Sequence, residues 1–285
     1  MLPAFKSSTA SKPSQDESNI PVFYNSFQIG LVNTSILSFF NKSSIFKISD
    51  SSLTITGDSD SLSKELYKLS SELSINKIWR NECFSIFDNN GFASLAIERS
   101  AAPLFGCRMY GCHLNVFTRD SGSLKYWIQK RSPTKQTWPG KFDNLVGGGL
   151  THKSLPFETI LKEAWEEAGI SGYNDKIISV GVVTFYARAY FPCDFGQPDT
   201  EFVYDLEVDS DFKPKSIDGE AVDFELLDIY QVKEKMIQNM FTPEATIVCL
   251  DFLVRHGIIT PENEPDYMEI VEGIHVKFDY PGPRF

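Results

Sequence analysis

The period of the hydrophobic positions changes several times along this chain, and each change marks an element. Apolar residues alternate over 22–24 and 28–32 around Asn25-Ser26, which predicts a hairpin. A short helix is predicted over 34–40, and strands over 45–48 and 53–56. Leu62, Leu66, Leu69 and Leu73 then keep helical spacing. Together they predict a small α+β module over 20–105, with no obvious chemistry of its own. A second unit is expected over 106–285. It starts with strands over 109–118 and 124–130, separated by the turn Asp120-Ser121-Gly122. Further β-type runs follow at 177–190 and 201–208. Residues 225–239 read as partly helical. A helix is predicted over 243–256, with Ala245, Val248, Leu250, Phe252 and Leu253 available for burial. Strands on both sides of an amphipathic helix imply an α/β fold, an α/β/α sandwich. Residues 1–19 are rich in Ser, Lys and Pro, and a disordered tail is expected there. With no Arg and little amphipathic pattern, the tail does not read as a transit peptide.

The segment 157–168 carries the candidate chemistry. Stepping about 100° per residue places Glu166 and Glu167 within about 60° of Glu163. Phe157, Ile160, Leu161, Ala164, Trp165 and Ala168 gather on the other half, an apolar face able to pack on a sheet. Pro156 near the start and Gly169 past the end are the expected helix punctuation. Like charges three and four residues apart cost a helix about 0.2–0.5 kcal/mol per pair. Anions near a helix C-terminus also oppose its dipole. A shared Mg²⁺ or Mn²⁺ would remove both costs, because hard cations prefer oxygen ligands. An isolated Glu-x-x-Glu-Glu would read as a solvated acidic face. Here it follows a glycine turn, Gly147-Gly148-Gly149, and ends in Gly169-Ile170, and the whole pattern favours a metal.

Composition narrows the class. The 285 residues are 42% hydrophobic and 23% charged, as in ordinary globular proteins. A formal net charge of -11 argues against nucleic acid as partner, but not against a small anion held by metal and local cations. No apolar run approaches the roughly 20 residues of a membrane span, so no membrane partner is expected. The odd set Cys83, Cys107, Cys112, Cys193 and Cys249 contains no C-x-x-C pair and suits reduced thiols and a cytoplasmic location. Cys107, Cys112 and His113 lie close together, but their apolar, strand-like setting favours buried structural thiols over a metal site.

The glycine turn and acidic helix resemble the Nudix box, G-x5-E-x7-R-E-U-x-E-E-x-G-U, where U is aliphatic. Gly148, Glu163, Glu166, Glu167, Gly169 and Ile170 match. Ser154 stands at the early glutamate and Lys162 at the arginine. Lys162 keeps the charge but lacks the planar fork that grips two carboxylates. Further segments, 98–106, 110–115, 138–146, 202–207 and Asp218-Gly219-Glu220, resemble the fungal and plant Nudix subgroup described as thiamine pyrophosphokinase-related. Its members carry a family-specific N-terminal module. The resemblance implies hydrolysis of oxo- and oxythiamine diphosphate to monophosphates. Some members are fused to a thiamine pyrophosphokinase domain, for which this chain is too short.

The resemblance implies metal-assisted attack of water on a small-molecule diphosphate, with Glu163, Glu166, Glu167 and the backbone carbonyl near Gly148 as ligands. The general base is left open between Glu163 and Glu220, the latter also readable as an ordinary turn carboxylate. Lys130, Arg131 and Lys135 are candidates for the phosphates, or for a solvated loop. Tyr110, His113 and Trp138 are candidates for a thiamine-like ring, or for core positions. A cationic thiazolium would suit acidic and aromatic surroundings. The alternatives are a Nudix hydrolase of a nucleoside-diphosphate-type or coenzyme A substrate, and a non-catalytic Nudix module that binds a ligand or partner. The intact glutamate set argues against the last. Oligomeric state is not legible.

Overall fold

The first apolar residues of the chain are already structural. The computed structural model describes residues 1–13, 18–120, 122–188 and 196–285. Helix α1 (Leu2–Ser8) buries Ala4 and Phe5. The Phe5 ring lies where a Cβ on Gly273 would come within 2.2 Å of it. Thr9 bridges to Ala187, and the Ala10 N–H donates to the Tyr186 carbonyl. Residues 1–13 therefore do not form the expected free tail. Two apolar side chains suffice to seat them because a glycine leaves the space.

Residues from 19 onward gather around a core of their own. Strands β1 (Asn19–Tyr24), β2 (Phe27–Asn33), β3 (Phe46–Ser49) and β4 (Ser52–Ile55) form a sheet in the order β2-β1-β4-β3. Asn25 adopts φ 53 in the β1–β2 turn, a conformation Asn tolerates. The helix predicted over 34–40 splits into a 3-10 turn, Thr34–Ile36, and the single turn α2 (Leu37–Phe40). Helix α3 (Ser59–Leu69) is capped by Asp58, whose side chain accepts from the Ser61 N–H, and buries Leu62, Leu66 and Leu69. A hairpin, β5 (Cys83–Phe87) with β6 (Ala93–Glu98), and a 3-10 turn, Ala102–Phe105, complete this part. Gly30 is pressed against that turn: a Cβ there would lie 2.1 Å from the Phe105 carbonyl oxygen.

The larger sheet contains β7 (Met109–Asp120), β8 (Ser123–Arg131), β9 (Phe142–Asn144), β10 (Val146–Gly149), β11 (Ile178–Ala187), β12 (Gln197–Glu207) and β13 (Ala221–Asp228). Its spine runs β11-β12-β7-β8-β13, with β12 parallel to β7. Helix α4 (Pro156–Ala168) covers one face through Ile160, Ala164 and Ala168. The other face is covered by α1, α5 (Ile229–Ile237), α6 (Pro243–Arg255) and α7 (Tyr267–Gly273). The architecture is an α/β/α sandwich with the first sheet attached. Cys107, Cys112 and Cys249 are buried, and Cys193 lies outside the described residues, as do Ser121 and residues 189–190 of two predicted elements.

Three further sequence expectations change. The glycine turn is not a turn but strand β10. Residues 225–228 belong to β13, and the helix begins only after Asp228, which makes a capping box with Gln231. Trp165 and Phe157 are 50% and 41% exposed, so α4 is seated by a narrower stripe than the wheel implied.

Gly30→Ala is expected to lower stability by roughly 1–3 kcal/mol, the usual cost of overpacking, since its neighbours are backbone and cannot rotate away. Urea denaturation checks it; an unchanged midpoint would contradict this contact.

Candidate active site at the fork of the sheet

Strands β7 and β8 pair with each other only from Val116 and Trp127 to their shared turn. Before that point they splay. β9 then pairs with β8, and β10 with β7, filling the fork. The three glycines of β10 are explained by what presses on each. A Cβ on Gly147 would lie 2.8 Å from His113 Cε1, one on Gly148 2.6 Å from Glu163 Cγ, and one on Gly149 3.0 Å from Phe84 Cε1. Phe84 comes from β5, whose Ser85 Oγ lies 2.9 Å from His152 Nδ1, while the Cys83 carbonyl accepts from the His152 N–H. The glycine strand is thus wedged between the sheet, the acidic helix and the N-terminal hairpin.

A cleft of about 440 Å³ opens there. Glu163, Glu166 and Glu167 all line it. Glu167 is only 3% exposed and accepts from the Gly147 N–H at 2.8 Å and Gln129 Nε2 at 3.1 Å. Burial raises its carboxyl well above the ordinary range, and burial raises Glu163 too. Lys162 Nζ bridges Glu163 at 3.2 Å and Glu166 at 2.9 Å. Among the described residues no three His, Cys, Asp or Glu side chains form a ready-made cation cage. The three glutamates share a wall, not yet a point. The donors nonetheless fit a hard divalent ion. They are all oxygen, the bare Gly148 leaves room for Glu163, and the Lys162 ammonium offsets only part of the charge on Glu163 and Glu166.

On the α6 side of the fork lies a second acidic group. Asp199 and Glu201 project from β12 on the face that carries Val203, and Glu244 comes from the first turn of α6. Burial pushes Asp199 up to about 6, and burial with the neighbouring Asp199 pushes Glu244 up to about 7. Glu201 is also raised by burial, and its Oε2 has no hydrogen-bond partner. Gly111 makes space for it: a Cβ there would lie 2.2 Å from that oxygen. His113 Nδ1 meets Asn144 Oδ1 at 2.7 Å, while the Asn144 amide donates to the Tyr126 hydroxyl, so Nδ1 carries the hydrogen. Burial lowers the His113 pKa, leaving Nε2 as a bare acceptor 3.6 Å from Glu201 Oε2. Burial thus disfavours the charged form of both Glu201 and His113.

The cations form a third wall. Arg131 pairs with Asp143 at 2.8 Å, and Lys135 pairs with Glu220 at the rim. Arg99 pairs with Glu82 at 3.0 Å, and Arg80 enters from the N-terminal part. Trp138 also lines the cleft, with Lys141 Nζ 5.1 Å from its ring centre.

Of the residues predicted from sequence, Lys130 is not brought to the cleft. It neighbours Arg131 on β8, so the pleat turns it to the opposite side, where it is exposed over Phe142. Tyr110 borders the cleft, but its ring is held in the core against Phe87, with centroids 5.2 Å apart. His113 borders the cleft but is buried, with its ring packed against Gly147. Sequence reasoning missed Asp199, Glu201, Glu244, Arg80 and Arg99. Acidic residues at two alternate positions of a strand were a usable signal for the first two. The arginines come from a segment that meets the site only through tertiary packing.

The NUDIX domain family matches residues 113–245, which spans both acidic walls of the cleft. An uncharacterized protein of Saccharomyces cerevisiae is 37% identical over 237 residues, covering 78% of this chain and 68% of the yeast protein. The chain carries a domain of the Nudix family. Two Arabidopsis thaliana relatives, Nudix hydrolase 24, chloroplastic, and Nudix hydrolase 20, chloroplastic, are 41% and 38% identical, over 67% and 68% of this chain. The chain spans 52% and 51% of their lengths, about half of each plant protein. Their names give no support to a cytoplasmic location. No helix among the described residues is long and apolar enough to cross a membrane.

The raised carboxyls have a stability consequence of definite sign. Folded Glu244 titrates at about 7 against an ordinary 4.5, so between those values the folded chain binds more protons than the unfolded one. Stability then falls as pH rises through that window. In the presence of EDTA, Glu244→Gln is expected to raise the melting temperature at pH 8 by at least about 2 °C and leave it nearly unchanged at pH 4.5. Equal shifts at both pH values would contradict the desolvation.

Proposed function

We propose that this Nudix enzyme hydrolyses the diphosphates of thiamine analogues, such as oxo- and oxythiamine diphosphate, to monophosphate and phosphate, using Mg²⁺ or Mn²⁺. One observation supports the reading most: a single cleft joins the α4 glutamates, a wall of guanidinium groups and a pocket of desolvated carboxyls. The first two suit a cation-bound diphosphate. The third suits the organic part. Carboxyls titrating at about 6 and about 7, as Asp199 and Glu244 do, can face a cationic ring as carboxylates or a ring carbonyl as acids.

Glu163, Glu166 and Glu167, with the Gly148 carbonyl, would hold the ion. Bound there, it supplies charge neutralisation on the diphosphate oxygens and a more acidic water. The chain's own groups divide the remaining work. The Gly147 N–H and Gln129 fix the Glu167 carboxylate in place. Glu163, set against the bare Gly148 and raised by burial, is the proton acceptor we favour. Arg131 and Lys135 stand where phosphate oxygens would lie.

A turnover panel with Mg²⁺, read by chromatography of the monophosphate products, tests the substrate: thiamine diphosphate, oxythiamine diphosphate, ADP-ribose, a dinucleotide and coenzyme A. Oxythiamine diphosphate is expected to give the highest kcat/KM of the five. Turnover no faster than that of the nucleotides would remove the thiamine reading.

Glu167→Gln is expected to cut kcat at least about a hundredfold, within the range for loss of a group that stabilises transition-state charge. Its thermal melt should be unchanged or higher, since a desolvated carboxyl is replaced by an amide of the same shape. Near-normal turnover would end the assignment of Glu167.

A further inference from the structure

Arg80 follows the 3-10 turn Asn76–Ile78 in the N-terminal part of the chain, far in sequence from the Nudix signature. Its backbone is fixed. The Arg80 N–H donates at 3.0 Å to Glu98 Oε1, a carboxylate 1% exposed that also accepts from the Ser100 hydroxyl at 3.1 Å. Its side chain lines the cleft. There the neighbouring guanidinium groups are matched, Arg99 by Glu82 and Arg131 by Asp143. Arg80 is not. Among the described residues its side chain meets only Thr137 Oγ1, at 3.5 Å, the limit of a hydrogen bond, and no carboxylate within ion-pairing range. Burial lowers its pKa, and the positive charges of Arg99 and Arg131 act in the same direction, offset only in part by the carboxylates of Glu82 and Glu220. A second donor is spare nearby: the Arg131 Nε–H is buried and has no partner.

A partly desolvated guanidinium beside two others is costly unless an anion joins it. A protein of net charge -11 has carboxylates to spare, yet places none on Arg80. We propose that the N-terminal module completes the substrate site, with Arg80, aided by the Arg131 Nε–H, binding the terminal phosphate of a diphosphate monoester. This rests on the diphosphate-hydrolase reading above and extends it to a class of substrate. A terminal phosphate offers three non-bridging oxygens and close to two negative charges, and guanidinium forks match that geometry. A phosphate esterified on both sides offers two such oxygens and one charge. The arrangement therefore favours diphosphates with a free end over bridged ones of the dinucleotide type. It also gives the N-terminal module, which carries no motif, a chemical role.

The test uses the full chain with Mg²⁺ and methylenediphosphonate, a diphosphate analogue that is not hydrolysed and has no organic group. Calorimetric titration of the wild type, Arg80→Lys, Arg80→Gln and Arg80→Ala is compared, with thermal melts of each. Loss of a charged hydrogen bond predicts affinity weakened about tenfold or more in Arg80→Ala and Arg80→Gln, with partial recovery in Arg80→Lys. In turnover, KM for a diphosphate monoester should rise while KM for ADP-ribose stays within about twofold, as expected if only the terminal phosphate uses this contact. Unchanged affinity in a cooperatively melting Arg80→Gln or Arg80→Ala variant overturns the proposal, as does a wild type that does not bind the analogue. Arg80-dependent binding of the analogue by an enzyme inactive on oxythiamine diphosphate would sink the thiamine reading and leave this one standing.

Discussion

The site depends on one constraint, the close approach of three different elements to the three glycines that end strand β10. β10 fills the fork between β7 and β8, and nothing larger than hydrogen can face outward from its glycines. His113 presses on Gly147 from the sheet, Glu163 on Gly148 from α4, and Phe84 on Gly149 from the N-terminal hairpin. Each contact fixes one wall of the cleft relative to the other two. A methyl group at any of the three positions would move a different wall. The Gly147 N–H adds a directional tie by donating to Glu167, the most buried of the three helix glutamates.

Charge is distributed on that frame by separation. The acidic helix and the β12–α6 carboxyls lie on opposite sides of the sheet's split end, and the arginines close the third side. Burial and mutual repulsion raise Glu163, Glu167, Glu201 and Glu244, which shows how strongly the folded chain is loaded against carrying negative charge there. Lys162 is the local counterweight. It reaches both Glu163 and Glu166, a task an arginine would perform with a planar fork and lysine performs with a single ammonium.

Much of this was legible in the sequence because it rests on local periodicity. The α4 glutamates, the buried face of α6 and the β7–β8 pair follow from spacing alone. The glycine segment was found, but read as a turn. Glycine is poor in strands on propensity, and only the incoming side chains explain its use here. Lys130 and Arg131 are adjacent, and sequence could not say which one the pleat turns into the cleft. Arg80 and Arg99 were invisible because the N-terminal part of the chain reaches the cleft only through tertiary packing. The expected N-terminal disorder failed at Phe5 for the same reason: its seat, Gly273, lies at the far end of α7.

The packing of Phe84 on Gly149 also orders events in time. The core that supports β5 is drawn from residues up to Cys107, so it can close before β10 has been synthesised. Chains emerge N-terminus first, and domains tend to fold as units as they do. The surface on which the glycine strand rests is therefore complete in sequence before the strand itself. The cleft is then laid against a surface encoded upstream, with α4 the last of the three elements to follow.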